Sequence, residues 1–164
     1  MIYSKSFKLQ SRNRAVSFHD VTEQVKAIAA ESGIKTGIVV VYSHHTTCSV
    51  ITQECAFDMS MTGLETLQQD LVNVFENWIP TCRYEGMYLH PGNKALVFAE
   101  EHGEDNFGCH NTDAHLRSSI IGRNVTIVMT DGEMDLGEFG RIHFIDWDQT
   151  RARQRTVQIM IIGE

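Results

Sequence analysis

The chain has 164 residues, 42% of them hydrophobic, and a formal net charge of -7. That length supports one well-buried core and not two, and the acidic balance argues against nucleic-acid binding, which depends on a basic face. No apolar run approaches the ~20 residues of a membrane span, and the start Met1-Ile2-Tyr3-Ser4-Lys5 carries no long apolar leader, so no membrane partner and a cytoplasmic location are expected.

Alternation from Ile2 to Leu9 predicts a first strand, and Val16-Ser17-Phe18 a short second one. A helix follows, with Asp20 and Glu23 at capping-box spacing, Val21, Val25 and Ile28 on one face, and Gly33 as a left-handed C-cap. Strands are expected at 37–43 and 47–52. Leu64, Leu67, Leu71, Val74, Phe75 and Trp78 recur at three- and four-residue steps after a Thr62/Glu65 capping pair, which predicts a helix over 62–79 stopped by Pro80. Lys94 to Ala99 is expected as a strand and Asp113 to Ile121 as a short helix ended by Gly122. Three strands close the chain, Val125–Thr130, Arg141–Asp146 and Thr156–Ile162, with a turn at Asp131-Gly132. There is no linker, repeat or low-complexity tract, so residues 1–164 form one domain. Many strands with a few helices and no regular βαβ alternation indicate an α+β fold with a mainly antiparallel sheet or two packed sheets.

The four cysteines, Cys48, Cys55, Cys82 and Cys109, are too sparse for a disulfide framework and contain no Cys-x-x-Cys pair, so free thiols are expected. Any metal site therefore leans on histidine. The run His44-His45-Thr46-Thr47 stands where a β-branched strand ends; His90 sits beside Pro91-Gly92, and His115 near a helix start. Neutral imidazoles suit zinc and similar divalent ions, and three of them with an open fourth position leave room for water or substrate. His45, His90 and His115 are the candidate metal triad, with His110 as a rival ligand; the competing reading of each is a surface or capping residue. If the strand continues, His44 and His45 point to opposite faces, so one of them faces the site.

Glu54 is the candidate general base, with the candidate catalytic Asp58 sharing its face if a helical turn starts there; the competing reading of Glu54 is a solvated helix-start acid. Thr46 and Thr47 are candidate substrate contacts. Arg151, Arg153 and Arg155 alternate, so on a strand their guanidinium forks would hold a phosphate or carboxylate, unless they pair with Asp146, Asp148 and other acids. A Cys48 nucleophile is disfavoured because its side chain would face away from His45.

Together these residues resemble a known family. His45-Thr46-Thr47-Cys48 followed by Gln53-Glu54 and Asp58, Tyr88-Leu89-His90, Asn111 through Ser119 with Ile121-Gly122, then Gly132, Leu136-Gly137 and the arginine-rich last strand, are similar to the YjbQ-like family, whose members are often labelled secondary thiamine-phosphate synthase enzymes. The resemblance implies two orthogonally packed β-sheets, a homotrimer and a histidine-lined metal site. It carries over the three histidines onto His45, His90 and His115, the acid onto Glu54, small helix residues onto Ser118 and Ser119 as substrate contacts, and the anion-binding arginines onto Arg153 and Arg155. The chain departs from the family at Phe139-Gly140, where many members have Trp-Gln, and in a longer His90–His115 segment that includes His102 and His110. The expected function is that of a metal-dependent enzyme, zinc being the expected ion, acting on a small anionic or phosphorylated metabolite by hydrolysis or a thiamine-phosphate synthase-like transfer. The alternative is a non-catalytic trimeric protein that binds a metal or metabolite.

Overall fold

The structure is a computed structural model and describes residues 1–104 and 110–164; the expected free thiol of Cys109 lies outside the described residues. Twelve elements follow one another: β1 (Ile2–Gln10), β2 (Ser17–Asp20), α1 (Thr22–Ser32), β3 (Gly37–Ser43), β4 (Cys48–Glu54), α2 (Thr66–Trp78), α3 (Asn93–Glu101), α4 (Thr112–Ile121), β5 (Asn124–Thr130), β6 (Glu133–Met134), β7 (Gly140–Asp146) and β8 (Gln154–Gly163). The expected α+β class holds. A five-stranded sheet runs β1-β8-β3-β5-β6 and a three-stranded sheet β2-β7-β4, and every pairing is antiparallel.

Strand alternation decides how the layers stack. Val157, Ile159 and Ile161 of β8, Val39 and Val41 of β3, and Ile127 and Met129 of β5 turn to one face, where they meet Cys48, Val50, Ile142 and Phe144 of the smaller sheet. Helix α1 closes this inter-sheet core with Val25, Ile28 and Ala29. The opposite face of the smaller sheet buries Ile145 against Phe75 of α2 and Ala114 of α4, together with Trp147. Strand β7 is thus covered on both faces, which is why Ile142 to Asp146 is buried without a break. Trp147 donates its indole N–H to Ser49 Oγ at 3.0 Å and packs 5.3 Å from Phe75, centroid to centroid.

Several local expectations shift by a turn for identifiable reasons. Helix α1 ends on Gly33 at φ 71, as its sequence requires. At its start, however, Asp20 Oδ1 accepts from the backbone N–H and hydroxyl of Thr22, while Glu23 pairs with Lys26 instead of completing a capping box. Helix α2 begins at Thr66, not Thr62, because the reciprocal cap is built from Glu65 and Gln68. Residues 94–99, expected as a strand, are the body of α3. Gly92 O accepts from the N–H groups of Ala95 and Leu96, and Ala99 is buried while the β-favouring Val97 and Phe98 are exposed. Tertiary packing of the small residues overrides local preference there. Asp131 and Gly132, with φ of 54 and 84, form the expected turn and lead into the short β6.

His143 lies fully buried on β7, near Phe18, and neither ring nitrogen has a hydrogen-bond partner among the described residues. Burial holds its pKa below the ordinary imidazole value, against the opposing pull of Asp20 and Glu65. The folded chain therefore resists a proton that the unfolded chain accepts near pH ~6.5. Stability from this residue is present above that pH and is lost as pH falls through it, levelling off below the depressed folded value. Urea unfolding at pH 7.5, 6.5 and 5.5 should show a decline that is shallower in His143→Leu; an identical slope in the variant would remove His143 as its source.

Candidate functional site

One end of the inter-sheet core opens into a cleft of about 650 Å³. Its floor comes from the β3–β4 connection (His44 to Thr47) and the start of β8. One wall is α4 with the segment before it, and the other is α3 with the turn at His90-Pro91.

Helix α4 is rigidly anchored, so what it carries is well placed. Ser118 Oγ donates to Cys48 O at 2.6 Å, and Cys82 N–H donates to Asp113 Oδ1 at 3.0 Å. Arg117, fully buried beneath the Trp147 ring, donates through Nε and Nη2 to Ile79 O and through Nη2 to Glu76. The helix then presents His115 to the cleft, 5.4 Å centroid to centroid from His90.

Their hydrogen bonds define the tautomers of both rings. The Thr112 hydroxyl spends its single proton on His90 O, at 2.6 Å. His90 Nδ1, 2.9 Å from the same hydroxyl oxygen, must therefore be the donor in that contact, which leaves the lone pair on Nε2. On His115 one ring N–H is bonded to the backbone carbonyl of Thr46. Burial pushes the His115 pKa down and the neighbouring His90 adds to it, so this ring is neutral at pH 7. Two unshared imidazole lone pairs thus stand together at the cleft wall.

His45 is placed differently. It lines the cleft, yet its Nε2 accepts the backbone N–H of Thr156 at 2.9 Å. In the neutral ring that nitrogen carries the lone pair, so Nδ1 bears the proton and no free pair remains for a metal. Of the three expected histidines, this arrangement brings His90 and His115 together and leaves His45 Nε2 engaged with Thr156. Among the described residues no group of three histidine, cysteine, aspartate or glutamate side chains is clustered closely enough to hold an ion. The expected opposition of His44 and His45 holds: His44 turns to the outer face of the larger sheet and meets Gln158 and Tyr42.

The other expected residues divide. Thr46 and Thr47 line the cleft, but the Thr47 hydroxyl already accepts from Arg155. Ser118 is committed to Cys48 O, and Ser119 donates to His115 O on an exposed helix face, so neither serine reaches the cleft. Glu54 closes β4 at the end opposite Cys48, six residues away and roughly 20 Å at strand rise. Asp58 lies beyond it, where its carbonyl accepts the Thr66 N–H. No helical turn joins the two acids, and neither lines the cleft. Cys48 is buried and its thiol is pushed far up by burial, which removes it as a nucleophile.

Arg153 and Arg155 do reach the cleft, as partners of acids. Arg155 holds Asp146 bidentately at 2.6 and 3.1 Å. Asp148, expected only as a partner for arginine, is a buried cleft residue that accepts from Asn111 and Thr150. The spacing Asp146-x-Asp148 opposite the alternating arginines was its visible signal.

Comparison with known proteins agrees with this architecture. Residues 5–164 match the family described as UPF0047 protein YjbQ-like. A UPF0047 protein of Methanocaldococcus jannaschii is 29% identical over 160 residues, covering 98% of this chain and 94% of its own. The UPF0047 protein YugU of Bacillus subtilis is 24% identical over 160 residues, covering 98% and 99%. The crystal structure of a hypothetical protein from Aeropyrum pernix superposes with a TM-score of 0.73 at 27% identity, over 99% of each chain.

Arg155→Met should cost about 3–5 kcal/mol of unfolding free energy, because it strands Asp146 as an uncompensated buried charge. Equilibrium denaturation checks this, and the double change Arg155→Met/Asp146→Leu should recover much of the loss. A single-variant cost below about 1 kcal/mol, the range of an exposed pair, would show that the pair carries little.

Proposed function

The chain belongs to the YjbQ-like UPF0047 family, and from that premise and the cleft we propose an enzyme that binds a divalent ion through His90 and His115 and acts on a small anionic or phosphorylated metabolite. The observation that carries the reading is the pair of neighbouring imidazoles, each with one nitrogen committed to a fixed protein partner. A ligating histidine characteristically uses its second nitrogen in this way. Zinc is the ion that best suits neutral imidazole with open positions for water and substrate. When bound, such an ion supplies a Lewis acid and a water of lowered pKa.

The chain's own residues would do the rest. Thr112 and the Thr46 carbonyl hold the two rings in the ligating tautomer. His45 ties the β3–β4 connection to β8 through the Thr156 N–H, keeping the floor of the cleft closed. Arg153 and its neighbours supply the positive side on which an anionic group is held. Thiamine-phosphate synthase activity is one transfer within this class, and hydrolysis of a phosphorylated metabolite another. A homotrimer in the cytoplasm completes the proposal. It is supported by an exposed cross-strand row of Ile2, Ile162, Ile38 and Val128 on the outer face of the larger sheet, and by the free thiols of Cys48, Cys55 and Cys82.

A second reading, a trimeric binder of metal or metabolite without turnover, is favoured by one observation. Glu54 and Asp58 lie away from the cleft, and the carboxylates that line it among the described residues, Glu104 and Asp148, are engaged with arginines. Proton transfer would then fall to the imidazoles alone.

Elemental analysis after zinc dialysis should find about one ion per chain, lost in His90→Ala and in His115→Ala and kept in His45→Ala. Thr112→Val should weaken zinc about 10–100-fold by freeing the His90 ring. Equal zinc content in all four variants would refute the metal site, and loss in all three histidine variants, His45→Ala included, would restore the original triad. Light scattering on Ile38→Lys/Ile162→Lys checks the assembly: the expected trimer should fall to a monomer, and an unchanged particle mass would exclude that face from the interface.

A further inference from the structure

Glu104 and Arg153 of the cleft lining form, with the adjoining Arg151, a bridge of three charged side chains. Glu104 Oε2 accepts from Arg151 Nη2 at 2.6 Å and lies 3.5 Å from Arg153 Nη2. The carboxylate is positioned by the backbone. Beyond the end of helix α3, Gly103 stands at φ 70; the Gly103 N–H bonds to Glu100 O and the Glu104 N–H bonds to Ala99 O at 2.8 Å. That is the reciprocal C-terminal arrangement that glycine permits, and it turns the chain back so that Glu104 faces the two arginines.

Glu104 is nevertheless an incomplete occupant of the seat it fills. It engages the Nη2 atom of each guanidinium through one oxygen. The Nε–H groups of Arg151 and Arg153 are buried and have no hydrogen-bond partner among the described residues; Arg153 Nε lies 3.8 Å from Asp148 Oδ2, beyond hydrogen-bond reach. A guanidinium binds an oxyanion best along its edge, with two parallel N–H donors. Each arginine therefore offers an Nε/Nη2 edge that is half used.

The other two acids nearby cannot leave their places. Asp146 is buried in its bidentate pair with Arg155, and Asp148 is buried and held by Asn111 and Thr150. Glu104 is 42% exposed, and Arg151 and Arg153 are 30% and 28% exposed, so its bridge is open to solvent and easily exchanged.

We propose that Glu104 is an internal surrogate for the oxyanion of the substrate. It occupies the Arg151–Arg153 seat in the free protein and swings into solvent when a phosphate or carboxylate group takes both guanidinium edges. The inference rests on the cleft being an anion-binding site and adds a built-in competitor to it. It has a consequence for selectivity. A ligand must displace one carboxylate to enter, so a dianionic phosphate, with more oxygens and more charge, is favoured over a monocarboxylate of the same size.

The test is calorimetric titration of inorganic phosphate into the full chain, freed of metal by chelation and held at constant ionic strength. Glu104→Gln should bind phosphate on the order of fivefold more tightly than the unaltered protein, the scale expected from releasing partly exposed ion pairs. The gain should vanish in Glu104→Gln/Arg153→Ala. Glu101→Gln, which removes the same charge from an exposed site on α3 outside the cleft, should show no such gain. Equal or weaker binding by Glu104→Gln, an equal gain in Glu101→Gln, or no phosphate binding by any of the proteins would overturn the proposal. Thermal unfolding of each variant verifies folding. Because the titration contains no metal, its outcome is independent of zinc retention by His90 and His115, which is measured separately, so either proposal can fail alone.

Discussion

A buried ion pair joins the two sheets, and the cleft is organised around it. Arg155 projects inward from β8 of the larger sheet, Asp146 inward from β7 of the smaller one, and they meet in a two-point contact where the apolar inter-sheet core ends. Both charges are almost wholly removed from water. Burial alone would lower the pKa of Arg155, but its hydrogen bonds to Asp146 and the nearby carboxylates raise it overall, so the guanidinium stays charged. Such a pair contributes less net stability than its Coulomb attraction suggests, because desolvation opposes it. Its value here is geometric: it links the two sheets where the inter-sheet core meets the cleft.

The same pair also explains the character of the cleft. Arg155 reaches the Thr47 hydroxyl as well as Asp146, so the β3–β4 connection is bound to the ion pair and cannot drift. His45 adds a second tie from that connection to β8. With the floor held in this way, α4 can bring His115 against the Thr46 carbonyl and within 5.4 Å of the His90 ring. The positive charges that a reader of the sequence would assign to substrate are mostly matched inside the protein: Arg155 by Asp146, Arg151 and Arg153 by Glu104. An anion entering this cleft would therefore not meet bare cations but arginines already paired with carboxylates, and of those carboxylates Glu104 is the exposed one.

Regular patterns in the sequence were legible and local overrides were not. The alternation of β1, the β-branched run of β3, and the Gly33 and Gly122 ends of α1 and α4 report backbone geometry directly, and the structure follows them. Val97 and Phe98 misled because β-favouring residues can ride the exposed side of a helix when Ala95 and Ala99 supply its packing face. Ser118 was visible as a small polar residue on α4, but only the approach of α4 to β4 reveals that its hydroxyl is already bonded to Cys48 O. Glu54 looked close to the histidine run in sequence; a strand extends so far per residue that six positions carried it to the other end of the sheet.

By itself the sequence determined the α+β class, the family, and the residue types able to do chemistry, because periodicity, turn residues and motif order are local properties of the chain. Only the tertiary structure decided which of those residues meet and what each is still free to do. Hydrogen bonds and ion pairs are consumed by specific partners: Thr156 takes the lone pair of His45, Asp146 takes the fork of Arg155, while Thr112 and Thr46 leave His90 and His115 one open nitrogen each. Those partners lie between 22 and 111 residues away or on separate strands. No local pattern records them, because valence at a site is settled by whatever the fold brings beside it.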